Sequence, residues 1–343
     1  MERNRGLDLL RLFAGMAVVM LHYNYGYAFP IMDGVSMPNR LLLYGMEALC
    51  GPAVNVFLLI SGFFLFRTDK RSLGKVINLF VLVIFFRELF YLGPVALGRH
   101  PFEWNLFLSA LVPNVYFIVL YSVVYLVSPY INMIIKRLSD KGVLRLLLIL
   151  FLLISVEPWL VDILEKTTQT TWRGMNMVAF SGADGGQTLV HFIFMYIIGA
   201  CLNKLELSEY MVKIKWGGVY IATTIFIFLS YFIQWVGSPY YSPFVVLQSV
   251  SLFYLFSPIN CAPVFSRLSK AALTCYIIHL PFLNFLRIEY FVHQPTYILA
   301  LQIVVSLVGI YLLAFVFMTV YDFIFKKPQE YLNKIIMNYK FDN

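Results

Sequence analysis

Arg11 and His22 are the residues whose type and spacing most directly suggest chemistry. They stand in the apolar segment RLFAGMAVVMLH, with ten residues between them. Eleven steps of about 100° along an α-helix amount to three turns plus roughly 20°, so both side chains point the same way, about 16 Å apart along the axis. A cation and an imidazole are both costly in lipid, which makes each a candidate functional group. The imidazole can act as a general base on a hydroxyl or as a transient acyl carrier, whereas the guanidinium offers phosphate a permanently charged fork.

Both residues also have structural interpretations. A lone histidine in a helix is more often a packing residue, and an arginine one turn inside a membrane leaflet can extend to the lipid headgroups. Asp8 precedes Arg11 by three residues and is expected to hold the guanidinium as an i,i+3 partner. The run YNY that follows His22 favours a polar cavity at that end of the segment.

Other polar side chains within apolar segments are candidates for substrate contacts. Arg87 lies in FFRELF, where it must pair with another helix or face a polar cavity. Glu47 precedes GPAVNVFLLISGFFLF, whose Ser-Gly pair is as well explained by close helix contact as by a substrate site. His279 stands shortly before Pro281, which is expected to kink its helix.

The longest polar loop spans residues 164–187 and contains Trp172 and Arg173. Loops over a membrane cavity often hold substrate determinants, so these two side chains are candidate substrate contacts. A solvated connector explains the loop equally well.

The composition is that of an integral membrane protein. Hydrophobic residues make up 60% of the 343 residues and charged residues only 13%, with a mean hydropathy of +0.77. Soluble domains carry about 25% charged residues. The four cysteines are scattered without a CxxC spacing, and no ligand cluster is evident, so neither a metal site nor a redox pair is predicted. P-loop, GxGxxG, HExxH and GxSxG motifs are also absent from the sequence.

Hydropathy predicts an all-α polytopic fold of about ten transmembrane helices in a single domain, residues 1–343. Residues 326–343 are expected to form a short interfacial tail. The net charge of +8 is a topology signal and does not indicate a nucleic-acid partner, because nineteen of the 26 Lys and Arg residues fall in alternate loops. The positive-inside rule then places both termini in the cytoplasm. The predicted spans are 7–29, 41–66, 76–98, 104–134, 143–163, 188–203, 216–236, 242–260, 271–288 and 295–325.

Five motifs, in order along nearly the whole chain, resemble the acyltransferase 3 family of membrane O-acyltransferases. The Arg-x10-His segment RLFAGMAVVMLH is the first, and GPAVNVFLLISGFFLF resembles the second-span pattern that ends in SGF or SGY. The other three are NVYFIVLYSVVYLVSPYIN, through Tyr121, Tyr125, Pro129 and Asn132; HFIFMYIIGACL, through Gly199; and LSKAALTCYIIHLPF, through Ser269, Tyr276 and His279. The fourth-span motif lacks the usual Trp near Val115 and Tyr116.

The resemblance implies transfer of an acyl group, usually acetyl, from cytosolic acyl-CoA to a hydroxyl of an envelope or surface glycan or a lipid-linked sugar. His22 becomes the base or acyl relay and Arg11 a determinant for the CoA end. The family's basic pair at the head of the third span is loosely matched by Lys70, Arg71 and Lys75, so that Arg71 and Lys75 are expected donor contacts. Tyr276 and His279 become motif positions of less certain role. The expected location is a bacterial-type plasma membrane, with acetyl-CoA as co-substrate.

Two other function classes fit the sequence. A transporter or flippase for an envelope precursor would also have ten spans with buried charges, and it predicts discontinuous helices around a midplane site, often with repeat symmetry. A non-catalytic membrane module, such as part of a ligand sensor, predicts that CoA does not bind.

Overall fold

The computed structural model describes residues 4–172, 174–179, 182–205, 215–233, 239–335 and 338–339. Arg173 lies outside the described residues. The described chain is almost entirely helical, as predicted, with one two-residue antiparallel pairing between β1 (Arg71–Ser72) and β2 (Asn338–Tyr339). The helices are α1 (Arg5–Tyr23), α2 (Met37–Cys50), α3 (Ala53–Leu65), α4 (Leu73–Ala96), α5 (Trp104–Ala110), α6 (Tyr116–Arg137), α7 (Asp140–Phe151), α8 (Glu157–Thr168), α9 (Leu189–Lys204), α10 (Trp216–Ser230), α11 (Pro243–Phe256), α12 (Pro263–Leu268), α13 (Ala272–Leu283), α14 (Ile288–Phe291) and α15 (Thr296–Ile335).

Six helical segments of the described chain are long and apolar enough to cross a membrane. Three shorter apolar helices, α9, α10 and α11, have 16, 15 and 14 residues, whereas a bilayer core takes about 20. The protein is therefore a multi-pass membrane protein, while the count of ten and the cytoplasmic termini stay predictions. The six segments are Arg5–Ile31, Met37–Leu65, Leu73–Ala96, Tyr116–Arg137, Asp140–Thr168 and Thr296–Glu330.

The predicted fourth span, 104–134, is wrong as a single helix. The chain forms the short helix α5, leaves helical geometry around Pro113, and begins α6 at Tyr116. Proline disfavours helical backbone in the residue before it, which explains the break. The last helix also differs from expectation, since α15 continues to Ile335 and takes up the first part of the predicted tail.

Helix α1 forms the centre of the bundle. It packs against α3, α11, α12, α13 and α15. Its side chains Leu7, Leu10 and Met20 are fully buried. Because it is one unbroken helix from Arg5 to Tyr23, it carries Arg11 and His22 on one scaffold, as the spacing predicts. A π-helical turn, Asn24–Ala28, follows it directly.

Helices α3 and α9 cross at two glycines. A methyl group on Gly62 would overlap the carbonyl oxygen of Tyr196, and one on Gly199 would overlap the carbonyl oxygen of Leu59. Small residues at membrane helix crossings allow such close backbone approach. Each helix thus contributes one glycine, against which the backbone of the other helix packs.

The loops sort into two faces, as the charge pattern predicts. Arg5 donates to Asn260 and Cys261, Lys136 pairs with Asp69 at 2.8 Å, and β1 pairs with the chain near the C-terminus. These contacts join only loops of the basic set, and we call their side the basic face. On the opposite face, Asn39 donates to the carbonyls of Val292 and Gln294. The division follows from the fold alone and does not depend on a membrane.

Candidate active site

His22 lies near the end of α1 that approaches the opposite face. Its Nδ1 is 2.9 Å from the carbonyl oxygen of Val18, one turn earlier. Because a carbonyl only accepts, the ring proton lies on Nδ1, and Nε2 of the neutral ring keeps its lone pair. The half-buried ring lines a cavity that opens towards the opposite face. Nε2 is thus available for proton exchange or nucleophilic attack.

His279, from α13, lies directly beside His22. The two ring centroids are 4.5 Å apart, with an interplanar angle of 65°. The ring of His279 is held in the same way as that of His22, since its Nδ1 lies 3.1 Å from the carbonyl oxygen of Cys275, four residues earlier. Its Nε2 is buried and has no hydrogen-bond partner among the described residues. We call these two residues the histidine pair; sequence reasoning singled out both residues but did not foresee their contact.

The outer cavity, which opens towards the opposite face, has a volume of about 240 Å³ and is lined by His22, Glu47 and Tyr240 among others. Glu47 is buried and accepts a 2.9 Å hydrogen bond from the side-chain amide of Asn24. That amide also donates to the Leu43 carbonyl at 3.0 Å. The π-helical turn after α1 re-aims Asn24 towards α2, a use of π-turns that is frequent at functional sites. One carboxyl group therefore lines the same cavity as His22.

A buried network holds Tyr240 in place at the wall of the outer cavity. Asn55 of α3 donates to the Tyr240 carbonyl at 2.7 Å, and its side-chain oxygen lies 2.8 Å from Nε2 of His191. Since that oxygen only accepts, His191 donates from Nε2, which fixes the amide of Asn55. The Tyr240 N–H donates in turn to the Gly185 carbonyl at 2.8 Å. Burial raises the pKa of the Tyr240 hydroxyl well above its usual value, so this group is a neutral donor.

The inner cavity, with a volume of about 400 Å³, lies towards the basic face. The exposed cations Lys75 and Lys270 stand at its wall, together with the acidic Asp322 and the rings of Tyr121 and Tyr125. Paired cations over an aromatic floor suit a multiply anionic ligand. The structure thus brings Lys75, the predicted donor contact, to the wall of this cavity.

Arg11 lies beside this inner region. Its guanidinium is 3.2 Å from Asp8 and one-third exposed, and it stands 5.2 Å above the ring of Phe64. Ser266 donates to the second oxygen of Asp8 at 2.7 Å, which fixes the carboxylate. The Arg11 guanidinium also interacts electrostatically with Tyr121, which lines the inner cavity. The expected i,i+3 pair is confirmed, and it orients the guanidinium next to the cavity wall.

Arg71 does not reach the inner cavity. Its side chain is 1% exposed, and its donors contact Ser128 at 2.6 Å and the carbonyls of Leu65, Thr68, Lys70 and Tyr125. These carbonyls lie at the end of α3, in the following turn and within α6. The structure therefore places Arg71 as a clasp that joins the end of α3 and the turn after it to α6.

A small apolar cavity, the middle chamber, separates the inner and outer cavities. Its volume is about 40 Å³. Leu273 lines both it and the inner cavity, and Val18, whose carbonyl holds His22, lines its other end. Tyr276 forms part of the wall, with its ring centroid 6.0 Å from that of His279. The three cavities therefore lie in series along α1, with the histidine pair above the chamber.

Two other predicted residues lie away from this series. Arg87 donates to the carbonyls of Ser109 and Ala110 at 2.9 and 3.3 Å and caps α5 beside a lateral groove of about 440 Å³. Trp172 donates from its indole to Thr168 at 3.0 Å. It lies in the loop after α8 and does not line the outer cavity. Neither is brought to the histidine pair.

Comparisons with known proteins give one finding. The family model described as an acyltransferase domain matches residues 4–319. No curated protein and no solved structure matches the chain. The match covers α1 with the histidine of the first span and α13 with its partner. Five motifs, the histidine pair and this match agree, and the chain belongs to the acyltransferase 3 family of membrane acyltransferases.

Proposed function

We propose that the protein transfers an acyl group from cytosolic acyl-CoA to a hydroxyl of an envelope or surface glycan. The observation that carries this proposal is the contact between His22 and His279, 4.5 Å apart at the junction between cavities on the two faces. An acyl donor and a hydroxyl acceptor that cannot mix across a bilayer need such a meeting point. In this proposal the basic face lies in the cytoplasm.

The inner cavity supplies the donor site. CoA carries several phosphates, which the exposed ammonium groups of Lys75 and Lys270 attract, and Arg11 adds a fixed charge at the adjoining wall. The slim pantetheine arm then extends past Leu273 towards the histidine pair, while the phosphates stay at the basic face. This division explains why the cations and the imidazoles lie at opposite ends of α1.

The outer cavity supplies the acceptor site. Glu47 is suited to orient a polyhydroxyl ligand, since its side-chain oxygens accept hydrogen bonds from hydroxyl groups, and Tyr240 lines the same cavity. Nε2 of His22 takes the proton of the acceptor hydroxyl as its oxygen attacks the thioester carbonyl carbon. The carbon–sulfur bond then breaks, and the CoA thiolate leaves and takes up a proton. Such general-base catalysis contributes about 10²–10⁴-fold.

The same geometry also supports a covalent route, in which Nε2 of His22 attacks the thioester carbonyl carbon, the carbon–sulfur bond breaks and the CoA thiolate leaves. The acceptor oxygen then attacks the acyl carbon, the carbon–nitrogen bond breaks, and the acceptor proton leaves to a base. His279 is then placed to exchange a proton with the neighbouring ring. The two routes differ in one observable. Incubation with labelled acyl-CoA and no acceptor leaves label on His22 only if the ring is a carrier, and peptide mass spectrometry detects it.

The proposal is tested by complementing a deletion strain with His22→Ala, His279→Ala and the double variant, followed by mass spectrometry of envelope glycans. We expect each single variant to lose at least about 10²-fold of the wild-type acylation and the double variant to lose little more, because groups that act as a unit are not additive. His293→Ala, at an exposed histidine of the opposite face, is the matched control. Full acylation by His22→Ala at equal protein level contradicts the proposed role.

Transport of an envelope precursor is the second candidate, and one observation favours it. The second membrane segment is interrupted between α2 and α3 at Gly51–Pro52, and Gly51 lines the outer cavity. Interrupted helices at a midplane site are typical of transporters. Movement of labelled precursor by reconstituted protein without acyl-CoA, combined with unchanged glycans in the His22→Ala strain, selects this function.

A further inference from the structure

The lateral groove on the side of the bundle is formed by α4, α5 and α13 and contains a cation. Its volume is about 440 Å³. Arg87 lines it together with Ser109 and Asn114, which are exposed, and most of the remaining wall is aliphatic or aromatic. Helix α4 is long and apolar enough to cross a membrane, and only 22% of its most apolar part is buried within the protein. The groove therefore opens sideways, towards lipid.

Helix α5 indicates how deep the groove lies in the membrane. Helix α4 begins beside β1 at the basic face, so its last turns approach the opposite face. There the Tyr91 hydroxyl donates to the carbonyl of Glu103 at 2.8 Å and accepts from its N–H at 2.7 Å, which fixes the start of α5. The neighbouring rings of Phe102 and Trp104 are exposed and 5.0 Å apart, as is typical of side chains at the level of the lipid headgroups. Arg87 precedes Tyr91 by about one turn and therefore lies about 6 Å nearer to the membrane centre.

The charge of Arg87 is not balanced by a carboxylate within the described part of the chain. Its Nε donates to the Ala110 carbonyl at 3.3 Å and its Nη2 to the Ser109 carbonyl at 2.9 Å, so two of the five N–H donors of a guanidinium are used. Glu88 interacts with it electrostatically, but the carboxyl oxygens of Glu88 have no hydrogen-bond partner among the described residues. The two carbonyls also hold the side chain in place. A cation fixed in this way just below the headgroups is stabilised by an anion that comes to it.

We propose that the lateral groove binds a phospholipid from the leaflet at the opposite face, with the phosphodiester on Arg87 and an acyl chain along the apolar wall. Phosphate oxygens accept charge-assisted hydrogen bonds from the remaining guanidinium donors. Ser109 and Asn114 lie at the same groove and are suited to hydrogen-bond the hydroxyls of a headgroup such as glycerol. A free phosphate does not cover the apolar wall, and a lipid without phosphate does not balance the cation. This inference goes beyond the proposed function and does not rest on it.

The experiment is native mass spectrometry of the full-length protein, delipidated in detergent and titrated with dioleoylphosphatidylglycerol. Dioleoylglycerol, which has the same chains without the phosphate, and inorganic phosphate, which has no chains, distinguish the sources of affinity. We expect dioleoylglycerol to bind at least about tenfold more weakly than the phospholipid, because charge-assisted hydrogen bonds are lost. Inorganic phosphate at millimolar concentration is expected not to displace the phospholipid.

Two variants change the groove in different ways. Arg87→Gln removes the charge and is expected to weaken phospholipid binding about tenfold or more. Its control is Arg40→Gln, because Arg40 is also half-buried and donates from Nε and Nη2 to the carbonyls of Val35 and Met32, but does not line the groove. Leu280→Trp fills the groove from a side chain that is 45% exposed and keeps both carbonyl contacts of Arg87. Its control is Leu313→Trp, at a leucine of α15 that is 42% exposed and lies outside the groove.

Weaker phospholipid binding in Leu280→Trp, with wild-type binding in both controls, supports the site even where Arg87→Gln does not fold. Equal affinity of the wild type for dioleoylphosphatidylglycerol and dioleoylglycerol overturns the inference, because the groove is then an apolar crevice only. Displacement of the phospholipid by inorganic phosphate also overturns it, since the site is then one for a free anion. Wild-type affinity in both Arg87→Gln and Leu280→Trp overturns it as well. Each of these results leaves the proposed function standing, because the assay measures no acyl transfer.

Discussion

Gly199→Ala tests whether the close crossing of α3 and α9 holds the outer site together. An alanine methyl group at this position would lie 2.8 Å from the carbonyl carbon of Leu59 and 2.9 Å from the backbone nitrogen of Phe63. Carbon atoms at rest are about 3.5–4.0 Å apart, so the helices must separate by roughly 1 Å. Because the obstacle is backbone, no rotamer change relieves the overlap.

The expected loss follows from these contacts. Overpacking costs about 1–3 kcal/mol, and a backbone obstacle places Gly199→Ala at the upper end of that range. Replacing glycine by alanine within a helix stabilises the folded state by about 0.5–1 kcal/mol, which offsets part of this loss. The net loss in the free energy of unfolding is therefore about 2 kcal/mol. Gly309→Ala, where a methyl group meets no atom within 4 Å, provides the control and is expected to be neutral or slightly stabilising.

The assay is the temperature at which half of the protein in detergent micelles leaves the monodisperse peak in size-exclusion chromatography. A loss of about 2 kcal/mol corresponds to a decrease of roughly 4–8 °C. Because α9 carries His191 and α3 carries Asn55, the variant is also expected to reduce glycan acylation. Equal midpoints for Gly199→Ala and Gly309→Ala would refute the reasoning about the crossing.

The remaining predictions concern three polar contacts. Arg71→Lys leaves several carbonyls of the α3–α6 clasp without a donor and is expected to destabilise the protein by about 3 kcal/mol, measured by the same chromatographic midpoint. Asn55→Ala removes the hydrogen bond to the Tyr240 carbonyl and is expected to weaken acceptor use, seen as a higher KM for acceptor at an unchanged KM for acyl-CoA. Asp8→Asn removes the charge that orients Arg11 at 3.2 Å and is expected to raise the KM for acyl-CoA several-fold.

Each of these variants has a contrasting outcome. A wild-type midpoint for Arg71→Lys would show that the buried guanidinium does not join α3 to α6. A raised KM for acyl-CoA in Asn55→Ala would assign the Tyr240 loop to the donor side. Unchanged donor kinetics in Asp8→Asn would separate Arg11 from CoA binding.

Contacts within one helix could be predicted from the sequence. The period of 3.6 residues is enough to place Arg11 and His22 on one face and to pair Asp8 with Arg11, and the structure has both features. The meeting of His22 with His279 could not be predicted in this way, because 256 residues separate them and only the packing of α13 on α1 joins them.

The sequence also did not show which basic side chains point into the helix bundle and which point into a cavity. In the sequence, one basic cluster contains Lys70, Arg71 and Lys75. In the structure, Arg71 lies in the short β1 pairing and is buried in the bundle, whereas Lys75 lines the inner cavity. The break before α6, in contrast, had a sequence signal in Pro113, since a proline disfavours helix in the preceding residue. Hydropathy alone passed over that signal because the surrounding residues are apolar.

The middle chamber has a consequence for the electrical state of the membrane. Its lining of valine, phenylalanine, leucine and the Tyr276 ring offers almost no partner for water, and an apolar cavity of this kind stays dry. Within the described part of the chain it separates the water that enters from each face. Protons and ions that enter from either face therefore meet an insulating layer at this level of the bundle. Under the proposed function, the acyl group would cross from one compartment to the other while the voltage and the proton gradient across the membrane are maintained.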